Sequence, residues 1–298
     1  MVDAHSPHGR LSLVSTPIGN LDDITLRALD RLRTSDGVFA EDTRVTRKLL
    51  AHYEITTPLE RCDENVIAQK APAIVARVEA GEDIAFVSDA GTPGVSDPGM
   101  RLVEAARRAQ ADSACFELEV VPGASAVLTA LVGAGFTSQA FYFGGFLPRK
   151  VGERRRLLET LGALDAVLVF YESNHRTAAS LAAIAEMLPA REVCMARELT
   201  KMFEEFAIAP AAQLAQQVAA REVLKGEVVI VVGPPAAQRA NGIGDVADDS
   251  PDKLDRATVC ARGHALMTEE GLSRAKAAKR LVAEFGIARD EAYRLLGE

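Results

Sequence analysis

The sequence has little that would support a disulfide-linked or membrane-embedded protein. Its four cysteines are scattered along 298 residues without a CxxC pair, which indicates free thiols in a reducing compartment and argues against a zinc site. Residues 1–10 lack the apolar core of a signal peptide, and no apolar run approaches the length that spans a bilayer. We therefore expect a cytoplasmic protein that does not interact with membranes.

Aromatic residues are also scarce. Tryptophan is absent and aromatic residues make up 5% of the chain, whereas hydrophobic residues make up 48%. The core must therefore be built mainly from alanine, valine and leucine, in a globular rather than a disordered protein. At this length the chain can hold two domains of ordinary size.

The familiar nucleotide-binding and hydrolase motifs are missing. No GxGxxG follows a predicted strand, because GAGF at 133–136 closes a helix and lacks the third glycine, and no GxxxxGK[ST] occurs. Ser96 lies in GVSDPG rather than GxSxG, so it is not a nucleophile elbow. Of the five histidines only His175 follows a predicted strand, and we interpret it as a helix-start residue. A dinucleotide fold, a P-loop, a metal site and a histidine triad are therefore not expected.

Charge is distributed unevenly along the chain. The net charge of −8 argues against indiscriminate binding of polyanions. Two basic segments nevertheless carry a net charge of +4 each: 149–156 has five basic residues against one acidic, and 256–281 has six against two. Between them the acidic, turn-rich stretch 241–252 is typical of a linker.

Strands alternate with helices over most of the chain, which is typical of an α/β protein with mostly parallel sheets. The predicted strands are 11–15, 37–40, 83–87, 117–121, FYFGGF, AVLVFY, EVCMA and EVVIVV. The clearest predicted helices are 43–52, 66–80 and 99–110.

After the linker the pattern becomes purely helical. Helices are predicted from about Ser273 and from about Arg289, in an arrangement that resembles a helix-turn-helix. The residues expected to pack between these helices are Ala275, Ala278, Leu281, Val282, Ile287 and Leu295. The cations expected to point outward are Lys276, Lys279 and Arg280.

Small and polar residues crowd the carboxyl ends of the predicted strands, where ligands bind in parallel sheets. Segment 88–99 (SDAGTPGVSDPG) is the most unusual, because it places glycines, prolines and two aspartates between a strand and a helix. The other loops are STPIGNLDD (15–23), AEDTR (40–44), PGAS (122–125) and YESNHR (171–176). Each loop alone fits a turn or a helix cap. Five of them on one edge favour a ligand site.

These loops belong to eight motifs that follow one another along residues 11–235. The motifs are LSLVSTPIGNLDDITLRAL, FAEDTR, FVSDAGTPGVSDPG, VVPGASA, FGGFLPRK, VFYESNHRT, ARELTKMFEE and GEVVIVVGP. In this order they resemble the ribosomal RNA small subunit methyltransferase I family. Its tetrapyrrole-modifying relatives carry a GxGPGD-type first loop, whereas this chain has STPIGN, which favours the RNA-modifying branch.

The resemblance implies a fold, a cofactor and a reaction. The fold is that of the tetrapyrrole methylases, with two α/β domains at about 11–121 and 122–235 and S-adenosyl-L-methionine held in the cleft between them. A linker at 236–252 and a helical module at 253–298 would follow. The implied reaction is methylation of a cytidine 2′-hydroxyl in the 16S rRNA of the small ribosomal subunit, by a homodimer.

The resemblance also implies which residues bind the cofactor. They are Pro17, Asp89, Ala90, Gly91, Thr92, Pro93, Ser96, Pro122, Gly123, Ser125, Ala126, Tyr171, Glu172, Leu199, Gly233 and Pro234. Glycines permit close approach of the backbone to a ligand. Asp97 has an alternative role as the cap of the helix that starts at Pro98.

Methylation of a hydroxyl calls for a base or for electrostatic stabilisation of the alkoxide. The candidate carboxylates are Glu41, Asp42, Glu172 and Glu198, and the candidate cations are Arg44, Arg197 and Lys201. The sequence does not choose among them; the catalytic set we predict is Glu172, Arg197, Lys201 and Asp42. Asp42 is alternatively a helix cap.

Basic residues are the candidates for RNA phosphate contacts. They are Arg44, Arg47, Arg149, Lys150, Lys276 and Lys279. Arg44 and Arg47 lie one helical turn apart, a spacing that also fits a solvated face, and the C-terminal helices could instead serve dimer contacts. Two further function classes remain open: a tetrapyrrole C-methyltransferase and a non-catalytic nucleotide-binding module.

Overall fold

The computed structural model describes residues 8–235, 256–268, 272–285 and 289–296. The chain divides into two compact units, 1–240 and 241–298. The predicted linker, 236–252, lies outside the described residues. In the described part, no helix is long and apolar enough to cross a membrane.

The first unit begins with a five-stranded sheet. Its strands are β1 (Arg10–Val14), β2 (Gly37–Ala40), β3 (Leu59–Arg61), β4 (Asp83–Val87) and β5 (Glu117–Val121). The spatial order is β3-β2-β4-β1-β5, and all neighbours are parallel. The intervening helices are α1 (Leu26–Thr34), α2 (Thr43–His52), α3 (Ile67–Glu79) and α4 (Gly99–Ala111).

Alternation along the strands explains how both faces of this sheet are buried. In β4, Ile84 and Phe86 pack on one face against α3 and α4, and Ala85 and Val87 pack on the other against α1 and α2. Because all five strands are parallel, their carboxyl ends and the loops that follow them lie on one edge.

A second sheet follows in the same unit. Its elements are α5 (Ala126–Ala134), β6 (Phe141–Phe146), α6 (Val151–Gly162), β7 (Val167–Ser173), α7 (Asn174–Met187), β8 (Glu192–Arg197), β9 (Glu205–Pro210), α8 (Ala211–Ala219) and β10 (Glu227–Val232). The strand order is β6-β7-β10-β8-β9. Only β6 and β7 are parallel neighbours; β10 runs antiparallel to β7 and β8, and β9 runs antiparallel to β8.

The expectation of mostly parallel sheets is therefore wrong for the second sheet. A short turn at 198–204 joins β8 to β9, which forces these two strands to be antiparallel. The sequence reading missed β9, an edge strand that is largely half-exposed, and β3, which has three residues. His175 begins α7 as predicted, and its backbone N–H donates to Asn174 Oδ1 at 2.9 Å.

Three cysteines of the first unit are free thiols: Cys62, Cys115 and Cys194. Burial raises the pKa of Cys62 to about 11 and that of Cys194 to about 12, so both thiols stay protonated at neutral pH. The prediction of free thiols is confirmed for these three residues.

The second unit contains the helices α9 (Arg256–Thr268), α10 (Arg274–Phe285) and α11 (Arg289–Leu295), so the predicted helix starts are confirmed. Its small core includes Ala277, Ala278, Leu281, Ala292 and Leu296. Ala275 is exposed and its predicted packing role is wrong, because the buried stripe of α10 runs through 277, 278 and 281. As predicted, the exposed cations include Lys276, Lys279 and Arg280. Ile287 and the side chain of Leu295 lie outside the described part.

Candidate active site

A cavity of about 490 Å³ opens where the carboxyl edge of the first sheet meets the second sheet. This volume lies within the range of about 300–1,000 Å³ that is typical of small-ligand sites. The first sheet lines it with Ile18, Glu41, 88–92 and 95–97, and the start of α5 adds Ser125 and Ala126. The second sheet lines it with Phe146, 171–174, Leu199 and 226–229.

Segment 88–99 is fixed to the loop that follows β1. The backbone N–H of Thr16 donates to the Gly91 carbonyl at 2.9 Å, and that of Gly91 donates back to the Thr16 carbonyl at 3.1 Å. The Ser15 hydroxyl donates to Thr92 Oγ1 at 2.9 Å. Gly91 has a φ of +79°, a conformation that side chains rarely adopt. The segment is therefore held in a defined shape at the cavity wall.

Asp97 closes the same segment. Its carboxylate accepts the Gly99 N–H at 2.7 Å, at the start of α4, and the Gly94 N–H at 2.8 and 2.9 Å. The capping role left open by the sequence is thus confirmed, although Asp97 also lines the cavity.

Three carboxylates make one wall of the cavity negative. Burial raises the pKa of Glu41, and the nearby charges of Asp89 and Asp97 raise it further. Burial also raises the pKa of Asp89, which accepts the Asp42 N–H at 2.8 Å. Because these acids crowd together without a cation in the cavity lining described, the wall favours a positively charged ligand group.

A second part of the lining, the apolar wall, is aliphatic and aromatic. It is formed by Phe146, Tyr171, Leu199, Val228 and Val229. The Tyr171 ring meets Phe143 edge-on at a centroid distance of 4.9 Å, and burial, followed by the charge of Asp97, raises the pKa of its hydroxyl. Such a surface suits the face of a heterocyclic ring.

Glu172, predicted as both a catalytic and a cofactor-binding residue, is fully engaged with the protein. Its buried carboxylate accepts the Ser180 hydroxyl at 2.5 Å and the Ser173 N–H at 2.8 Å, and it pairs with Arg176 at 3.2 Å. The Arg176 guanidinium also donates to the Leu147 carbonyl. These contacts favour a positioning role, because three protein groups already bind the carboxylate.

The other members of the predicted catalytic set are absent from the cavity lining described. Arg197 pairs with Glu205 at 2.9 Å, and Arg221 joins the pair and lowers the pKa of Glu205 to about 2. Lys201 bridges Glu198 at 3.0 Å and cavity-lining Glu227 at 2.8 Å. These ion pairs stiffen the rim of the site.

Asp42, the fourth member, caps α2. It accepts the Arg44 N–H at 2.8 Å and pairs with the Arg44 guanidinium at 2.5 Å. The pKa of Asp42 falls to about 2 because of these contacts with Arg44. The alternative role as a helix cap is therefore the one that the geometry supports.

Gly233 and Pro234 are the clearest misplacement among the predicted cofactor residues. Strand β10 runs antiparallel to β7, so Glu227 pairs with Ser173 at the cavity and Val232 pairs with Leu168 at the other end. The two residues follow Val232, far from the cavity, where the buried Arg191 donates to the Gly233 carbonyl at 3.2 Å. The start of β10, 226–229, takes their place.

Four further predicted cofactor residues flank the described cavity lining without joining it: Pro17, Pro93, Pro122 and Gly123. Gly123 has a packing reason, since a Cβ there would lie 2.7 Å from the Ser15 Cβ. The predicted residues that do line it are Asp89, Ala90, Gly91, Thr92, Ser96, Ser125, Ala126, Tyr171, Glu172 and Leu199.

Sequence reasoning missed several lining residues: Ile18, Phe146 and 226–229. For Phe146 a signal existed, because paired glycines inside the strand FYFGGF indicate a bulge that can re-aim a side chain. For β10 no local signal distinguished a parallel from an antiparallel strand.

All six predicted phosphate-binding cations lie on the surface. Arg44, Arg47, Arg149 and Lys150 are exposed, although Arg44 pairs with Asp42 and Lys150 pairs with Glu153 at 2.9 Å. Arg154, within the first basic segment, is buried and does not add to that surface. Lys276 and Lys279 are exposed within the second unit.

Comparison with known proteins gives consistent matches. The family model described as Tetrapyrrole (Corrin/Porphyrin) Methylases matches residues 10–215. A protein of Mesorhizobium japonicum named Ribosomal RNA small subunit methyltransferase I is 44% identical over 83% of this chain and 79% of its own. A Synechocystis protein of the same name is 37% identical over 96% of this chain and 97% of its own.

Solved structures share the fold. The methyltransferase CobJ has a TM-score of 0.59 at 21% identity, covering 76% of this chain and 94% of that chain. A Thermus thermophilus uroporphyrin-III C-methyl transferase, complexed with S-adenyl homocysteine, has a TM-score of 0.52 at 17% identity, covering 78% of this chain and 100% of that chain. At these identities the structural likeness shows the fold alone.

Proposed function

Because the chain belongs to the ribosomal RNA small subunit methyltransferase I family of the tetrapyrrole methylases, we propose that it methylates ribosomal RNA of the small subunit. The methyl donor is S-adenosylmethionine, and the acceptor is the 2′-hydroxyl of a cytidine in 16S rRNA. The relatives' name supports the ribosomal substrate. The 2′-position and the cytidine rest on the resemblance of the motifs.

The observation that carries this proposal is the contrast between the two walls of the cavity. S-adenosylmethionine combines a cationic sulfonium with a flat adenine. The acidic wall of Glu41, Asp89 and Asp97 fits the cation, and the Tyr171 and Val229 part of the apolar wall fits the ring.

The start of α5 completes the fit. Ser125 caps this nine-residue helix, and Ser125 and Ala126 line the cavity. Backbone N–H groups at a helix start attract anions, so this end of the cavity would hold the carboxylate of the cofactor's methionine part. The residues present therefore match each charged end of the cofactor.

The reaction is an in-line displacement at carbon. When bound, S-adenosylmethionine would supply an activated methyl group to the ribose oxygen, with a neutral thioether as the leaving group. The protein's contribution is to hold the hydroxyl in line with the methyl group and to exclude water. It must also accept the hydroxyl proton.

We assign Glu41 as the cavity carboxylate that accepts the proton of the ribose hydroxyl. Asp89 and Asp97 both accept backbone N–H groups, whereas Glu41 makes no hydrogen bond with another described residue. The raised pKa of Glu41 makes it a stronger base than an ordinary glutamate.

The second candidate function is methylation of a tetrapyrrole, the reaction named for one structural neighbour, the uroporphyrin-III C-methyl transferase. The two named structural neighbours are 21% and 17% identical to this chain, well below the 37–44% of the ribosomal relatives. The exposed Arg149 and Lys150 also favour an RNA substrate.

The test is incubation with labelled S-adenosylmethionine and either isolated 30S subunits, carrying unmodified 16S rRNA, or uroporphyrinogen III. We expect label at one cytidine of the 16S rRNA and none in the tetrapyrrole. Label in the tetrapyrrole alone would establish the second function instead. The homodimer, the cytoplasmic location and the domain boundaries at 121 and 235 stay predictions.

A further inference from the structure

Phe146 reaches the cavity because of an irregularity in strand β6. Phe141 pairs with Val167 and Phe143 with Val169, but Phe146 pairs with Tyr171, so three steps along β6 match two along β7. One extra residue moves every later side chain to the other face of a sheet. Phe146 therefore shares the cavity face with Tyr171.

Two glycines build this bulge. A Cβ on Gly144 would lie 2.6 Å from the Phe170 ring, and Gly145 has a φ of +61°. A Cβ on Gly145 would lie 3.5 Å from Ser96 Oγ, so the bulge rests against segment 88–99. The next residue, Leu147, is buried and its carbonyl accepts from Arg176. The position of Phe146 is thus fixed on both sides.

The ring of Phe146 is only partly packed against other residues of the protein. It lines the cavity and meets Tyr171 at a centroid distance of 5.7 Å, yet the residue is 55% exposed. A phenylalanine that is held rigidly at a cavity rim and still faces solvent offers one face to a planar ligand. Three and four residues further on, Arg149 and Lys150 are exposed.

We propose that Phe146 stacks on the base of the nucleotide to be methylated. This inference rests on the proposed function and adds a residue that selects and positions the RNA. Sequence-selective RNA recognition uses unstacked bases that pack on aromatic rings. With the base on Phe146, the ribose would face the cavity, and Arg149 and Lys150 would be available for the adjacent phosphates.

The test compares Phe146→Ala and Phe146→Tyr with Phe141→Ala. Phe141 is a matched control, because it lies on the same strand and is 47% exposed but is not among the described cavity residues. The assay measures single-turnover methyl transfer against the concentration of 30S subunits, at saturating S-adenosylmethionine. Calorimetry measures cofactor affinity separately.

Loss of base stacking should raise the half-saturating concentration of 30S subunits roughly 5- to 150-fold in Phe146→Ala. Phe146→Tyr should restore it, Phe141→Ala should match the wild type, and the cofactor Kd should not move. Weaker cofactor binding with unchanged 30S dependence would assign the ring to the cofactor and overturn the inference. A Phe146→Ala variant with the wild-type half-saturating concentration of 30S subunits would also overturn the inference. A wild-type protein that labels no RNA would instead overturn the proposed function.

Discussion

The first sheet reaches the cavity through loops, whereas the second reaches it mainly through the ends of strands. The loops of the first sheet bring acids and glycines, such as Glu41, Asp89 and Gly91. The second sheet brings the aromatic and most of the apolar side chains, such as Phe146, Tyr171 and Val229, together with the polar residues 172–174 and Glu227. Loops can turn backbone and charge toward a ligand, and strand ends present flat, rigid side chains. The same cavity thus acquires a polar wall and an apolar wall with separable roles.

The largest effect on cofactor binding is expected from Gly91→Val, which tests the polar wall. A β-branched residue is strained at a φ of +79°, and Gly91 carries both hydrogen bonds to Thr16. We expect the cofactor Kd to rise by more than about 100-fold, measured by calorimetry on a variant whose circular dichroism is unchanged.

The matched control for this substitution is Gly81→Val. Gly81 has a φ of +103° and precedes β4, at the opposite end of the strand from the cavity. Equal loss of cofactor binding in both variants would mean that the effect comes from strain and not from contact with the ligand.

Glu41→Gln would test the charge of the polar wall. Removing a general base lowers kcat by about 100-fold or more. Because the ionised form of Glu41 acts and its pKa is raised, wild-type kcat should rise as the pH increases through that pKa, and the variant should lose this step. Asp42→Asn is the contrast, since asparagine also caps helices; its kcat should stay near the wild-type value. If Asp42→Asn alone removed activity, the assignment to Glu41 would be wrong.

Neutralising Arg149 and Lys150 would test the surface beside the apolar wall. The Arg149→Gln/Lys150→Gln variant should raise the KM for 30S subunits several-fold, and its salt slope should fall by about 1 for each phosphate that is no longer neutralised. The Lys276→Gln/Lys279→Gln variant should also raise the KM for 30S subunits and lower its salt slope. The control pair is Arg107→Gln/Arg108→Gln, on the exposed side of α4. Equal salt slopes in all three variants would place RNA recognition elsewhere.

The smallest effect is expected at the far end of β10. Pro234→Ala should leave the cofactor Kd within about twofold, because Pro234 follows the end of β10 that is opposite the cavity. Gly226→Ala should weaken binding more, since Gly226 has a φ of +93° and its Cβ would press on Glu198. A larger effect at Pro234 would contradict the orientation of β10.

The difference between the sheets also decides what the sequence could predict. Strands 37–40 and 83–87 were predicted with the bounds that the structure has, because buried parallel strands give continuous apolar runs. Strand 117–121 lies at the sheet edge and is largely exposed or half-exposed, and Pro122-Gly123 marks its end in the sequence. Their shared carboxyl edge then placed Asp89 and Gly91 at the site. The α/β tetrapyrrole methylase fold is confirmed by the family match and by the structural neighbours.

The second sheet escaped the same reasoning because strand direction is a tertiary property. The apolar run of β10 fits either direction, so Gly233 was assigned to the wrong end. The bulge that aims Phe146 depends on packing against Phe170 and on the neighbouring segment 88–99. The Arg197–Glu205 ion pair depends on the register of β8 against β9, and the Lys201–Glu227 ion pair joins residues that are distant in sequence. The sequence therefore did not show that Arg197 and Lys201 are engaged in ion pairs.

The most direct test of the account is the alkali sensitivity of the labelled product. After transfer from labelled S-adenosylmethionine to 30S subunits, the 16S rRNA would be hydrolysed with alkali and the labelled fragment identified. We predict an alkali-resistant dinucleotide, because a 2′-O-methyl group removes the hydroxyl that attacks the neighbouring phosphate. A labelled mononucleotide with the methyl group on its base would contradict the account.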